Sequence, residues 1–322
     1  MKRIRILLLT LALIPLAGFS QVSKNTFVYA IKGADTLRLD RYEAIKSNPK
    51  VIKPCIIFLF GGGFVGGHRD SKSYVSYFEK MAEKDYSVIS IDYRLGLKPV
   101  AKRMNQGEKI KKLEFPHLLE NAIDTAVADL YDATNFVLTK AAEWKIDASK
   151  IVINGSSAGA VSVLQAEYYL CSGNELTKKL PENFKYAGVI SFAGAIFSTK
   201  GALHWDKQPA PIQFFHGDAD SNVPYNKVRI LKYGFYGSKN LTEQLGKLKS
   251  PYYFYDVENA AHEIAGTPMT SNMAEITEFL TNLVEKKQPL EIHKQIRQTD
   301  KPLINKKFGI GDYIGANFKV QH

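Results

Sequence analysis

Short apolar runs rich in β-branched residues alternate with helix-length stretches from about residue 55 to residue 286, and that alternation rules out most architectures. The runs are 55–60, 87–91, 151–153, 188–192, 212–215 and 252–257. They are apolar almost throughout rather than at every second position, so each needs cover on both faces. The stretches between them read as helices: roughly 71–84, 117–144, 158–171, 225–234 with 239–248, and 272–286. The long one spaces Leu118, Ile123, Val127, Leu130, Phe136 and Val137 as one helical face. This order predicts an α/β protein with a mostly parallel central sheet and helices on both faces. Ahead of it, 27–31 and 37–42, joined by Lys32-Gly33-Ala34-Asp35, read as an antiparallel hairpin. No repeat, low-complexity tract or Pro/Ser linker divides 27–286, which reads as one domain. Residues 287–322 form a basic extension with no clear period, and the sequence leaves its structure open.

The first 20 residues read as a secretory signal. Lys2, Arg3 and Arg5 precede an apolar run at 6–16, and Gly18-Phe19-Ser20 puts small residues at the −3 and −1 positions of a cut before Gln21. The run is shorter than the roughly 20 residues of a membrane-spanning helix, so the expectation is cleavage, with no membrane span afterwards and a secreted or periplasmic mature protein. No cysteine closes the run, which argues against a lipid anchor. The formal net charge is +11. Beyond the leader, the basic excess concentrates at 98–112 and after Glu285. Basic runs without a recognised binding module are ordinarily solvated loops, so no nucleic-acid partner is expected. Cys55 and Cys171 are too few for a disulfide framework and are read as buried thiols, their pairing left open.

The chemistry starts where the run at 151–153 meets Gly155-Ser156-Ser157-Ala158-Gly159 and a helix-forming stretch follows. A serine lifted above a sheet on a sharp strand-to-helix turn needs glycine two positions to either side. The pentapeptide alone arises by chance in roughly one chain of this length in ten; its position between strand and helix is what makes Ser157 a candidate nucleophile. Ser156 is excluded, being flanked at the same offsets by Asn154 and Ala158. A second glycine cluster, Phe60-Gly61-Gly62-Gly63-Phe64, directly follows the run at 55–60. Such a loop brings bare backbone N–H groups up to a developing oxyanion. Gly61, Gly63 and Gly66, with Asp92 ending the next strand, also match a dinucleotide-binding fingerprint. Against that reading, a helix has to open within the glycines, and Gly67-His68-Arg69-Asp70 delays it.

An acid and a base follow the serine in the order that a Ser…Asp/Glu…His triad takes on such a sheet. His216-Gly217-Asp218-Ala219-Asp220 follows the run at 212–215, and Glu258-Asn259-Ala260-Ala261-His262 follows the run at 252–257. Both lie past carboxyl ends of strands, where open α/β sheets hold their sites. His262 is the one histidine after the acid that lies inside the domain, since His293 and His322 fall in the extension. Spacing alone does not choose between Asp218 and Asp220.

With these motifs the chain resembles the α/β-hydrolase esterases that carry an HGGG oxyanion motif, near the hormone-sensitive-lipase and feruloyl/acetyl-esterase branches. The resemblance covers about 27–286. It implies an oxyanion hole from the N–H groups of Gly62, Gly63 and Ala158, and a structural role for Asp92-Tyr93-Arg94-Leu95. It also implies that Asp220 is the acid, through H-G-x-x-D-x-x-V-P at 216–224. In keeping with that, a residue farther round the loop folds back to the histidine more readily. Asp218 is then expected to cap the turn by accepting the Asp220 N–H. Phe60 departs from the pattern, standing where the family has the His of HGGG. The extension past 286 has no counterpart in it.

The expected function is a secreted serine hydrolase that cleaves carboxylic esters through Ser157, His262 and Asp220 by way of an acyl-enzyme. It needs no metal and no organic cofactor. A peptidase on the same triad, a non-catalytic hydrolase-like binding protein and a dehydrogenase are the other readings. The first usually carries an extra access-restricting domain, and the second usually lacks a triad residue. The substrate expected is a small-molecule or oligosaccharide-linked ester, short-acyl or carbohydrate-linked. Phe64, His68, His204, Trp205, Phe235 and Tyr236 are candidate pocket walls.

Overall fold

The computed structural model describes residues 21–46, 48, 50–111, 114–300, 302–304, 306, 308–309 and 315; the leader expected at 1–20 lies outside them. Twelve strands are found among the described residues: β1 (Val22–Lys32), β2 (Asp35–Ala44), β3 (Lys53–Leu59), β4 (Ser87–Ile91), β5 (Ile146–Ser156), β6 (Gly188–Phe192), β7 (Ala195–Ser198), β8 (Ile212–Gly217), β9 (Lys227–Ile230), β10 (Tyr233–Gly237), β11 (Tyr252–Glu258) and β12 (Glu291–Arg297). Nine of them form one sheet in the order β1-β2-β4-β3-β5-β6-β8-β11-β12. The β1–β2 hairpin is antiparallel and meets β4 antiparallel, and every later pair is parallel. Ile57 on β3 sits between Ile89 on β4 and Ile153 on β5, all fully buried. The sheet centre is therefore made of the residues whose unbroken apolarity marked the strands.

The helices are α1 (Lys72–Ala82), α2 (Lys98–Asn105), α3 (Phe115–Trp144), α4 (Ala158–Ser172), α5 (Ser238–Lys247), α6 (Pro268–Ser271) and α7 (Met273–Phe279), the last running into a wider turn at Leu280–Glu285. α1 and α7 cover one face of the sheet: Tyr77 packs edge-on against Phe192, and Phe279 and Val284 lie over Gly188. α3, α4 and α5 cover the other face, with α4 packed on α3, β5, β6 and β7. Enclosed in this way, α4 buries residues on all its sides. It stops at Gly173 with φ 66°, a left-handed residue that leaves the helix axis.

The structure corrects the reading of 225–234 as helix. That stretch forms β9 and the start of β10, which with β7 make a separate antiparallel sheet in the order β7-β10-β9. Val228 and Ile230 alternate along β9, Leu231 takes φ 54° in the turn, and the Phe235 ring on β10 packs against Phe197 on β7 with centroids 4.7 Å apart and planes tilted by 47°. Cross-strand aromatic pairing outweighs helix propensity here. The stretch at 98–114 contains α2, opened by Pro99 at its first turn. Past residue 286, β12 lies parallel to β11 at the sheet edge, in register from Tyr252 opposite Glu291 to Glu258 opposite Arg297. The main sheet thus takes in residues on both sides of 27–286. Cys55 on β3 and Cys171 on α4 are both free and buried, and burial pushes both thiols up.

One buried carboxyl ties α4 to the loop before β8. Glu167 accepts the Ala210 N–H at 2.7 Å through Oε1 and the weak Cys171 Sγ donor at 3.6 Å, while its Oε2 has no partner among the described residues. Burial pushes the carboxyl up to about 6 from its ordinary 4.5. A carboxyl raised in the folded state contributes its full stability below the unfolded value and loses it as pH rises through 6. At neutral pH and above that loss approaches about 2 kcal/mol. Glu167→Gln keeps the acceptor for Ala210 and abolishes the titration. Thermal unfolding of this variant is expected a few degrees above wild type at pH 8 and level with it at pH 4.5. A variant less stable at both values would contradict the assignment.

Candidate active site

β5 ends at Ser156 and α4 begins at Ala158, so a single residue makes the turn between them. Ser157 has φ 52° and ψ −117°, a conformation that costs a non-glycine residue about 1–3 kcal/mol. The turn is this tight because two glycines let backbone meet backbone. A Cβ on Gly155 would lie 2.3 Å from the Gly159 carbonyl, and one on Gly159 would lie 2.1 Å from the Leu59 oxygen at the end of β3. The Ser157 N–H donates to Phe192 O at 2.9 Å, and its own carbonyl accepts the Val161 N–H. Ser156, the neighbour set aside above, is buried and donates its hydroxyl to Ala265 O at 2.8 Å.

The structure brings Ser157, His262 and Asp220 together. Ser157 Oγ lies 2.8 Å from His262 Nε2, and His262 Nδ1 lies 2.7 Å from Asp220 Oδ2. Nδ1 faces a carboxylate and so carries the proton, which leaves Nε2 to accept from the serine hydroxyl. Asp220 Oδ1 accepts the N–H groups of Asn222 at 2.7 Å and Val223 at 2.9 Å. A second histidine, which the sequence reading passed over, adjoins the same carboxylate. His216 is fully buried at the end of β8, with Nε2 3.4 Å from Asp220 Oδ2 and 3.2 Å from Val223 O. Facing two acceptors, that nitrogen carries the proton, and Nδ1 accepts from Ser238 Oγ at 2.7 Å. Burial alone raises the Asp220 carboxyl, but the hydrogen bonds from His216 and His262 outweigh it and hold the group well below the usual carboxylate range. Four donors surround this anion. The signal for His216 was its place four residues before Asp220 in the same motif.

Asp218 points elsewhere. Its Oδ1 accepts the Asn259 N–H at 2.7 Å and its Oδ2 pairs with Lys306 at 2.5 Å. The expected bond to the Asp220 N–H is not made; that group donates to Gly217 O at 3.2 Å. A bond across to the loop after β11 satisfies Asp218 instead.

Gly62 and Gly63 line the same cleft as Ser157 and His262, and Ala158 opens α4 directly after the serine. Among the described residues, the N–H groups of these three have no protein acceptor. The loop is steered by positive φ at Gly62, Gly63 and Phe64 and held from outside. Tyr74 Oη accepts the Gly61 N–H at 3.2 Å. Phe60, in the place of the family's histidine, stacks on Tyr93 at 4.4 Å, and the Tyr93 hydroxyl donates to Phe60 O at 2.8 Å. Arg69 bridges both Asp92 oxygens and Arg94 both Asp129 oxygens, so the Asp92–Arg94 element ties the loop to its surroundings. α1 opens only at Lys72, well beyond the glycines, unlike the helix of a dinucleotide fold.

The cleft measures about 650 Å³ and is lined, beside Ser156, Ser157 and His262, by Gly61–Gly63, Ser73, Tyr74, Asn222, Ala265, Gly266, Thr267, Met269 and Thr270. None of the six candidate pocket walls lines it. Phe64 is in the core against Tyr93, His204 pairs with Asp206, and Trp205 packs on Tyr168 and donates to Gln244. Phe235 and Tyr236 belong to the small sheet, and His68 is exposed in the loop before α1. Ser73, Tyr74, Thr267, Met269 and Thr270 stand where those walls were expected, most of them bearing hydroxyl groups.

The BD-FAE family model matches residues 96–197. No curated protein matches the chain. The apo structure of Thermogutta terrifontis esterase 2 superposes with a TM-score of 0.58 at 21% identity, covering 81% of this chain and 94% of that one. The butyrate-bound form of the same esterase gives 0.59 at 20% identity, and the form phosphorylated by paraoxon 0.56 at 20%, with the same coverage. Among the described residues no helix is long and apolar enough to cross a membrane. With this sheet order, its crossover helices and these likenesses, the chain has the α/β-hydrolase fold.

Proposed function

We propose that this protein is a serine hydrolase of carboxylic esters, with Ser157 as nucleophile, His262 as general base and Asp220 as the acid that orients it. The observation that carries the reading is the unbroken line of short contacts from Ser157 Oγ through His262 to Asp220, ending at a cleft. In the reaction, Oγ attacks the ester carbonyl as His262 Nε2 takes its proton. The oxyanion formed meets the N–H groups of Gly62, Gly63 and Ala158, donors of a kind whose individual loss costs about 10²–10³ in rate. His262 returns the proton to the leaving alcohol, an acyl-enzyme remains, and the same imidazole then activates water to release the acid. Asp220 keeps the imidazole in the reactive tautomer and stays ionised throughout.

The substrate proposed is a short-acyl ester of a polar alcohol, carbohydrate-linked esters included. The hydroxyl-rich lining at Ser73, Tyr74, Thr267 and Thr270, with Asn222, supports a polar alcohol. The structural neighbour was solved with propionate and with butyrate, which supports a short acyl chain. The leader at 1–20 supports release to the periplasm or outside the cell. Initial rates on p-nitrophenyl acetate and butyrate are expected to exceed those on the octanoate, with acetylated xylan and methyl ferulate separating sugar-linked acetate from aromatic acyl groups.

A fluorophosphonate probe is expected to label the native protein, with peptide mapping placing the adduct on Ser157. Ser157→Ala should lose turnover by orders of magnitude, and residual turnover above roughly a tenth of wild type speaks against the nucleophile. The two aspartates are expected to part company. Asp220→Asn should cut kcat by about 10³–10⁴, since an amide there stabilises the wrong imidazole tautomer. Asp218→Asn keeps an acceptor for the Asn259 N–H and should retain most of the rate. The reverse outcome in kcat would make Asp218 the acid.

A further inference from the structure

The loops that carry Asp220 and His262 are fastened to each other and to a third piece of chain at one point. Ala219 N–H donates to Ala260 O at 2.9 Å, and Asn259 N–H to Asp218 Oδ1 at 2.7 Å. The Asn259 side chain then reaches the C-terminal extension: Nδ2 donates to Pro302 O at 2.8 Å and Oδ1 accepts the Ile304 N–H at 2.7 Å. Its amide thus binds main chain on both sides of Leu303, much as a neighbouring strand would. Asn259 is buried, with φ 60°, a left-handed conformation that asparagine tolerates. Beside it, Lys306 pairs with Asp218 and lies 3.6 Å from Glu258. Asn259 stands three residues before His262, and Asp218 two before Asp220.

We infer that Asn259 is a positioning residue for His262, and that the extension, through Pro302 and Ile304, is a clasp holding the two loops in register. The inference rests on the esterase reading above. The contacts Ser157–His262 and His262–Asp220 are short, and a misplacement of about 1 Å in such a constellation costs roughly 10²-fold in rate. Surface loops open locally at little cost unless something opposes it. A buried amide bonded to main chain on another segment opposes it, because opening leaves buried donors and acceptors unpaired. Lys306 adds less, since its side chain is exposed and such pairs are screened. The clasp therefore resides in Asn259.

The test compares the full chain with Asn259→Gly, with a chain ending at Gln298, and with both changes together. Glycine keeps φ at 60° without strain, so it removes the side-chain bonds alone. The readouts are kcat, KM and Tm on p-nitrophenyl acetate, and amide hydrogen exchange across 257–264. Each single change is expected to lower kcat about tenfold with KM nearly unchanged, and to speed exchange in 257–264. The combination should be no worse than the truncation, because the truncation, which also removes Lys306, already takes away the bonds to Pro302 and Ile304 that Asn259→Gly removes. Asn259→Asp, which keeps the acceptor for Ile304, should fall in between. A lower Tm with kcat intact, or unchanged exchange in Asn259→Gly, overturns the inference. If the truncated chain does not fold, Asn259→Gly decides alone. A full chain that turns over no ester sinks the esterase reading instead, and the exchange data still decide the clasp.

Discussion

Backbone packed directly on backbone, with nothing between, is the constraint on which the rest of this structure turns. Gly155 and Gly159 close against each other and against the end of β3, leaving Ser157 no conformation but a strained one. The strain persists because the surroundings determine it several times over: Phe192 O holds the serine N–H, α4 is packed between α3 and the strands, and Ser156 is fixed to Ala265. The same contact brings the end of β3, and so the glycine loop that follows it, within reach of the serine. One close approach thus sets both the hydroxyl and the amide groups around it.

The anion at Asp220 is the second element, and it depends on donors rather than on a cationic partner. Burying a lone carboxylate is costly, and a buried charge survives when hydrogen bonds replace its water. Here two backbone N–H groups and two imidazoles do so, from β8, its following loop and the loop after β11. His216 differs from His262 in having no access to the cleft: it is sealed between Ser238 and Val223 O. The two imidazoles share a carboxylate while only one shares the serine.

The strand runs of the central sheet, the hairpin and the serine turn were legible because each depends on local pattern: unbroken apolarity, a glycine turn at Lys32-Gly33-Ala34-Asp35, glycines at fixed offsets. What escaped depends on partners distant in sequence. β12 is an edge strand with alternately exposed residues and no apolar signal, and it becomes a strand only against β11. The stretch at 225–234 has residues that suit a helix or a strand, and Phe197 decides the matter through Phe235. The cleft walls are not legible because an aromatic residue in a loop can serve a pocket or local packing, and Phe64 and Trp205 pack on other aromatic rings. His216 and Asn259 stood in plain view beside the residues chosen. Their importance lies in partners that only the fold supplies.

The two free cysteines have a consequence for how the molecule is made and lost. Cys55 and Cys171 lie on different layers, fully enclosed and in the thiol form. No covalent cross-link has to form for the chain to reach its native state, so folding waits on no oxidant and tolerates reducing and oxidising surroundings alike. Once the chain opens, however, both sulfurs become ordinary reactive thiols, free to couple wrongly within a chain or between chains. The native packing is then what keeps their chemistry silent. A thiol reagent added to the folded protein is consumed only as fast as molecules open, which makes the pair an internal clock for unfolding.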